Sequence, residues 1–389
     1  SATTVNNAID LSSEGGLVWI KSRTNPGTGH FHHLVDSERG QSSGFHKALY
    51  SNGVEAENQY PSSTNGGVSS FNSNGFTVGP GSNSNHFLNA SGYDYVSWTF
   101  RNSPMFQVVT YTGNGSTQNI SHSLNSVPGM VIIKTLGSLG SDWFVWHRGV
   151  GNTGYLILNG TAAKANYSNW LNPTSTTISL QNDSTNVNGE SFVAYFFAHH
   201  ANDGSATGFG PDGDSPVISC GSYTGDGTTN GTKEITLGFE PQWILTKKAT
   251  SADNWHINDV MRGQTTDGIT ERIIANSSSA ESASYGTAPT ATGFKLYSDN
   301  TNGETFIFMA VRRGSLFPPE AGDATKVFAM DTHGDTAPTP PAWNSGFPVD
   351  MAIYKNKSGT SNHVNSARLI QGKNLKTSQA DAEVGDSRD

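Results

Sequence analysis

A single cysteine, Cys220, stands in 389 residues, so no disulfide can form within the chain. That suits a protein made in a reducing cytoplasm. Charge is scarce as well: 14% of residues are Asp, Glu, Lys or Arg, against roughly 25% in an average globular protein. No cluster of Lys and Arg occurs and the net charge is −9, so no nucleic-acid partner is expected. No apolar run approaches the about 18 residues that suggest a membrane span, so no membrane insertion is expected. Strong helix formers are thinly spread, and no amphipathic helix longer than two turns stands out. No Walker-type Gly-x-x-x-x-Gly-Lys loop is present, which argues against nucleotide binding. Ser1-Ala2-Thr3-Thr4 shows neither a start methionine nor a signal-peptide pattern, and reads as the interior of a longer protein.

What is there instead is Gly, at 44 residues, with much Ser, Thr and Asn. These residues favour turns. Aromatic residues make up 10% of the chain, including 8 Trp, more than a disordered chain carries. Many turns between short apolar runs point to an all-β fold with several small cores.

Four landmarks recur in one order. An apolar strand ends in lysine at Leu17–Lys21, Met130–Lys134, Trp243–Lys247 and Met351–Lys355. Arg39-Gly40, Arg148-Gly149 and Arg262-Gly263 keep step with it, followed by Gln371-Gly372. A long strand follows Gly92, Gly189 and Gly303. Tyr111-Thr112-Gly113-Asn114-Gly115 and Tyr223-Thr224-Gly225-Asp226-Gly227 open two copies, with a degenerate third copy at Asp331–Asp335. A period near 110 residues is too long for a solenoid unit and suits a whole sandwich.

The expected fold is therefore tandem antiparallel β-sandwich repeats of the jelly-roll or lectin-like kind. Their expected spans are 1–103, lacking its opening strand, then 104–203, 217–314 and a partial 326–389. Linkers are expected near 201–216 and 315–325. Stacked end to end, such repeats would make an elongated rod.

Several segments resemble a family of tandem β-sandwich, concanavalin-like domains in virion and tail proteins of marine tailed phages. They are Gly16–Arg23, His33–Gly40, Asp94–Arg101, Val109–Gly115, Phe239–Trp243 and Ala310–Gly314. The resemblance covers nearly the whole chain. It implies a virion structural protein made in the host bacterial cytoplasm, a tail fibre or appendage that helps attach to a host surface glycan. Its expected partners are other virion proteins and further copies of itself, with a trimer as the guess from analogy. The family offers no catalytic motif to carry over, so no enzyme is expected. Three other readings stay open: a capsid-associated decoration without a receptor role, a secreted carbohydrate-binding protein, and a polysaccharide-degrading enzyme.

Candidate sites follow from residue chemistry. Tyr167, Trp170 and Trp343 lie in polar, loop-rich stretches without clear copies and are the expected glycan-facing aromatics. Trp143 and Trp255 occupy equivalent positions and are expected in a core. Asp226 and Asp335, with Asn114, Asp212 and Asp214 in similar loops, are the candidates for a structural calcium, although Asp and Asn also suit such turns for backbone reasons. No other cofactor is expected. His30, His32 and His33, and the pair His199-His200, read as surface or rim residues rather than metal ligands. Glu190 and Glu304 open equivalent strands and could serve a glycosidase only if they met within roughly 5–10 Å. Cys220 reads as a core thiol. A polar loop recurs in which Asn52, Asn159, Asn276 and Ser378 precede Glu57, Lys164, Glu281 and Glu383 by five residues. It reads as a solvated tip rather than a contact surface.

Overall fold

The structure, a computed structural model, describes residues 1–24, 30–57, 64–81, 88–137, 140–167, 170–181, 183–201, 207, 209, 213–265, 268–314, 328–330, 345, 349–356, 359–367, 373–380, 382 and 384–385. Among these residues the regular structure is antiparallel strand, with one 3-10 turn at Val260–Arg262. The all-β expectation holds.

Three sandwiches follow one plan, each with an inner and an outer sheet. The first inner sheet orders Ala48–Tyr50, His33–Asp36, Gly16–Ser22 and Tyr95–Arg101. The second places Ser191–Phe197 and Met130–Thr135 at its centre, between Phe106–Thr112 on one side and Phe144–His147 on the other. The third repeats this with Thr305–Arg312, Pro241–Lys248, Ile218–Thr224 and Trp255–Asp259. A three-stranded outer sheet covers each: Thr3–Asn6 with Gly75–Gly81 and Asn65–Asn72, then Gln118–Ser121 with Thr177–Leu180 and Leu171–Pro173, then Glu234–Thr236 with Gly293–Leu296 and Thr287–Thr290. The first inner sheet ends on Tyr95–Arg101, where the other two carry an opening strand. A smaller four-stranded sheet forms from Met351–Tyr354, Val364–Ala367, Lys373–Lys376 and Val384–Gly385.

Alternation along the lysine strands explains why they are apolar on both faces. Val18 and Ile20 point into the first sandwich core, with Val35, Val68 and Phe76. Val131 and Ile133 do the same in the second core, with Trp146 and Phe196. The other face does not meet solvent. Leu17, Trp19, Met130, Ile132, Trp243 and Leu245 belong to one further core shared by all three sandwiches. The expected rod is therefore not what forms. The inner sheets face one another and close a ring of three.

The glycine before each long closing strand has a left-handed backbone: φ is +83° at Gly92, +80° at Gly189 and +77° at Gly303. A side chain there would be strained, which explains why glycine recurs. A second landmark needs correction. Strand pairing places Asp36, His147 and Asp259 opposite Leu17, Met130 and Trp243. Three residues on come Arg39-Gly40, Val150-Gly151 and Arg262-Gly263. Gly40, Gly151 and Gly263 all have positive φ, at +71°, +74° and +106°. The structural counterpart in the second copy is thus Val150-Gly151, and Arg148-Gly149 lies two residues out of register.

Candidate functional site

The lysine strands, the paired Trp143 and Trp255 and the recurring polar loop meet at the three ring junctions, whereas the described candidates for glycan, calcium and catalysis do not. Lys21, Lys134 and Lys247, each near the end of its strand, are buried and donate to a backbone carbonyl of another sandwich. Lys21 Nζ reaches Ser278 O at 3.1 Å, Lys134 Nζ reaches Val54 O at 3.1 Å, and Lys247 Nζ reaches Thr161 O at 2.9 Å. A second bond ties each ammonium to its own sandwich, at Ser22 O, Ser141 O and Asp253 O. Burial disfavours the charged form and lowers each lysine to about 8. The bonds run from first to third, second to first and third to second, so the cycle closes.

A second set follows the same cycle. Trp143 Nε1 donates to Tyr50 O at 2.8 Å, and Trp255 Nε1 donates to Ile157 O at 2.8 Å. His32 holds the equivalent position in the first sandwich, and its Nε2 lies 3.0 Å from Ile274 O. Its Nδ1 accepts from Trp19 Nε1 at 2.9 Å, so the ring is neutral with its proton on Nε2. The expected core role of Trp143 and Trp255 is right, but their core lies between sandwiches.

The recurring polar loop is the latch of the ring, against the expectation of a solvated tip. Asn52, Asn159 and Asn276 accept from the backbone N–H of His32, Trp143 and Trp255. The N–H groups of Glu57, Lys164 and Glu281 donate to Leu136 O, Ala249 O and Arg23 O of the neighbour. The Glu281 carboxylate also pairs with Arg23 at 2.7 Å. Sequence reasoning missed this because the loop pairs through its backbone, which leaves no residue-type signature. Its strict recurrence at the repeat period was the signal available.

The third set is an ion pair with one deviant copy. Asp36, fully buried, accepts from Arg39 Nε at 2.6 Å and from Tyr195 OH of the second sandwich at 2.7 Å. Burial alone would lower the Arg39 guanidinium, but Asp36, Tyr195 and Glu57 raise it. Asp259 accepts from Arg262 Nε at 2.6 Å and from Trp98 Nε1 of the first sandwich at 3.0 Å. Arg262 also lies over the Trp98 ring, 5.6 Å from its centroid. At the third junction His147 takes the carboxylate's place. Its Nδ1 accepts from Gly149 N, and its Nε2 lies 3.0 Å from Phe308 O, where it donates. Val150 replaces the arginine, so no buried guanidinium is left without its carboxylate there.

Burial lowers His147 from 6.5 to about 4 and holds His32 well below its usual value. Between pH 6.5 and about 4 the unfolded chain then binds more protons than the ring, so stability is lost as pH falls through that window. The melting temperature of the chain should drop from pH 6.5 to 4. His147→Gln, which can still donate and accept, should flatten part of that slope. An unchanged slope in the variant would assign the effect to His32, His46, His122 and His200, which burial also lowers. Asp10 and Asp226, held near 2 by hydrogen bonds, respond only at lower pH.

The remaining candidates fall in different places. Trp170 is not a surface aromatic: it is buried in the second sandwich core, its ring 5.4 Å from that of Tyr155. Tyr167 is 40% exposed, as expected of a surface residue. Trp343, Asp335, Asp212, Glu383 and the expected linker at 315–325 lie outside the described residues. Asp226 closes its own turn, accepting from Thr228 N at 2.9 Å and from Asn300 Nδ2 at 2.6 Å. Asn114 makes the same turn with Ser116 N at 2.8 Å. Among the described residues no group of three or more His, Cys, Asp or Glu is placed to hold a metal ion.

His30, His32 and His33 are buried, not at a rim. The reason is aromatic packing: the His33 ring meets Tyr50 edge-on at 4.9 Å, and His30 packs against Tyr93 at 5.7 Å. His199 and His200 fasten the start of the third sandwich. They accept from Cys220 N and Val217 N, each at 3.1 Å. Burial raises the Cys220 thiol pKa, as befits a core thiol. Glu190 and Glu304 cap separate sandwiches. Each carbonyl accepts from a glycine N–H, Gly113 or Gly225, at 2.8 Å, and the Glu304 carboxylate accepts from Thr250 Oγ1. Gly40-Gln41-Ser42-Ser43-Gly44 has the spacing of a nucleophile elbow, but it forms the hairpin of Gln41–Ser42 with Phe45–His46.

One open groove lies on the second sandwich, lined by Val127, Trp146, Arg148, Asn152, Pro173 and His199 among others. Arg148 is exposed there, while its out-of-register relatives Arg39 and Arg262 are buried. Tyr167 is tied to the same edge, its N–H bonded to Thr153 O at 2.9 Å.

No curated protein matches the chain. The crystal structure of the STIV MCP, a viral major capsid protein, is similar at 12% identity over 53% of this chain and 96% of its own, with a TM-score of 0.19. A score that low carries neither fold nor role. A family model described as a domain of unknown function (DUF7483) matches residues 2–313, the span of the three-sandwich ring, and the chain belongs to that family.

Proposed function

We propose that the chain is a non-enzymatic structural part of a bacteriophage virion, within a tail fibre or comparable appendage, that contributes to attachment at a host surface glycan. One observation carries the structural half of this reading. Lys21, Lys134, Lys247, Trp143, Trp255, His32, His147 and the Asp36–Arg39 and Asp259–Arg262 pairs all bond across the junctions of the ring or hold the groups that do. Such an arrangement serves rigidity, which a virion part under load requires. The sequence resemblance to phage virion proteins supports the location.

The attachment half rests on the groove of the second sandwich. Exposed Tyr167 beside the groove offers aromatic surface, Asn152 offers an amide, and Arg148 offers a cation for an anionic sugar. Antibody labelling and mass spectrometry of purified particles should place the chain on the particle, and labelling at the tail would separate a fibre from a head decoration. Particles that lack it would overturn the reading. Binding of the chain to host-cell polysaccharide should fall at least tenfold in Arg148→Ala/Tyr167→Ala. Undiminished binding would remove the groove from the account.

A further inference from the structure

We infer that the smaller four-stranded sheet, which opens on Met351–Tyr354, is completed by the same sheet from two further copies of the chain, so that three chains join through a second, intermolecular ring. The sheet carries the ring-forming residues at the equivalent positions. Met351 and Ile353 correspond in the strand pairing to Met130 and Ile132, and Leu375 to Leu156. Met130, Ile132 and Leu156 are at most 1% exposed, whereas Met351 is 58%, Ile353 60% and Leu375 39% exposed. An apolar face at these positions is what the first three sandwiches bury against one another.

Polar bonds of the junction recur as well. Lys355 Nζ bonds Ser361 O, the counterpart of the local bonds from Lys134 to Ser141 and Lys247 to Asp253. His363 stands where His32, Trp143 and Trp255 stand. Its carbonyl accepts from Thr377 N, as those of Trp143 and Trp255 accept from Leu158 N and Ala275 N. Ser378 Oγ donates to Asn362 Oδ1 at 2.9 Å, matching Asn159 to Asp142 and Asn276 to Asn254. Among the described residues this sheet has no closing strand beside Met351–Tyr354 and no outer sheet, and its ring-forming face has no neighbour: no carbonyl receives Lys355 from another sandwich, and no surface covers Met351 and Ile353.

The first ring cannot supply that neighbour, because its three junctions are filled by its own sandwiches. Identical copies can. The junction is head-to-tail and closes after three members, and a head-to-tail contact that closes in three makes a cyclic trimer. In that ring Lys355 of one chain would donate to Ala380 O of the next, because Ala380 stands where Val54, Thr161 and Ser278 stand.

Light scattering or native mass spectrometry of the full chain tests this. The expected mass is three times 41.3 kDa. Met351→Asp/Ile353→Asp should run at the monomer mass while keeping the thermal transition of the first ring. A trimer held by these contacts should also be linked by a short bis-maleimide in Lys355→Cys/Ala380→Cys, and in neither single variant. Cys220 is buried and should not react. A wild-type monomer or dimer, or a trimer that survives the double Asp substitution, overturns the inference.

Discussion

Asp36→Asn should destabilise the chain by roughly 3–5 kcal/mol, the usual cost of removing one partner of a buried ion pair. Asp36 and Arg39 are both fully buried, with Nε to Oδ2 at 2.6 Å. Asparagine keeps an oxygen for the N–H groups of Glu38 and Arg39, which Asp36 Oδ1 holds at 3.1 Å. It leaves the guanidinium without its counterion, and Glu57, at 3.8 Å, replaces little of the attraction. The Tyr195 hydroxyl also loses a charged acceptor from across the junction. A urea-unfolding midpoint followed by tryptophan fluorescence reads the loss. Arg148→Ala on the surface should move it by no more than about 0.5 kcal/mol. A loss below about 1 kcal/mol in Asp36→Asn would mean that water or another group reaches Arg39, contrary to its burial. Replacing both Asp36 and Arg39 with apolar residues should cost less than the single change. The second sandwich has already made such an exchange, with His147 and Val150.

Trp143→Ala should cost about 3–5 kcal/mol, the range for emptying a buried aromatic site. The indole is fully buried, stacks on Tyr195 with centroids 6.3 Å apart, and donates to Tyr50 O and Gly53 O of the first sandwich. Trp170 is as deeply buried, but in the second sandwich's own core. The two alanine variants should therefore differ in where they loosen the chain. Hydrogen exchange at Lys134, Leu136 and Glu57 should quicken in Trp143→Ala and stay slow in Trp170→Ala. Trp143→His is the milder change, since His32 performs this role in the first sandwich. Equal exchange patterns in the two alanine variants would contradict a junction role for Trp143.

Both predictions concern contacts between sandwiches, where the sequence was hardest to read. The all-β class was legible because turn residues and short apolar runs are local properties. The lysine strands were legible because the same alternation recurs at one period, and each of Lys21, Lys134 and Lys247 does the same work. Asn52, Asn159 and Asn276 were found as a repeat but assigned to solvent, since polar residues at a turn satisfy water and a neighbour's backbone equally well. Trp170 and the His30–His33 cluster were read as exposed for the same reason: polar neighbours in sequence say nothing about what lies above the ring in space. Arg148 was matched to Arg39 on residue type alone. Only pairing through the sheet reveals the two-residue shift and the arginine brought to the surface.

The sequence by itself determined the strands, the turns, the repeat and the apolar face that each lysine strand carries on both sides. These follow from side-chain periodicity and backbone preference over a few residues. Tertiary structure alone decided that the second apolar face meets two other sandwiches, closing a ring instead of extending a rod. That choice depends on how three separate surfaces fit at once, and on side-chain bonds between residues 80 to 258 positions apart, which local preference cannot encode.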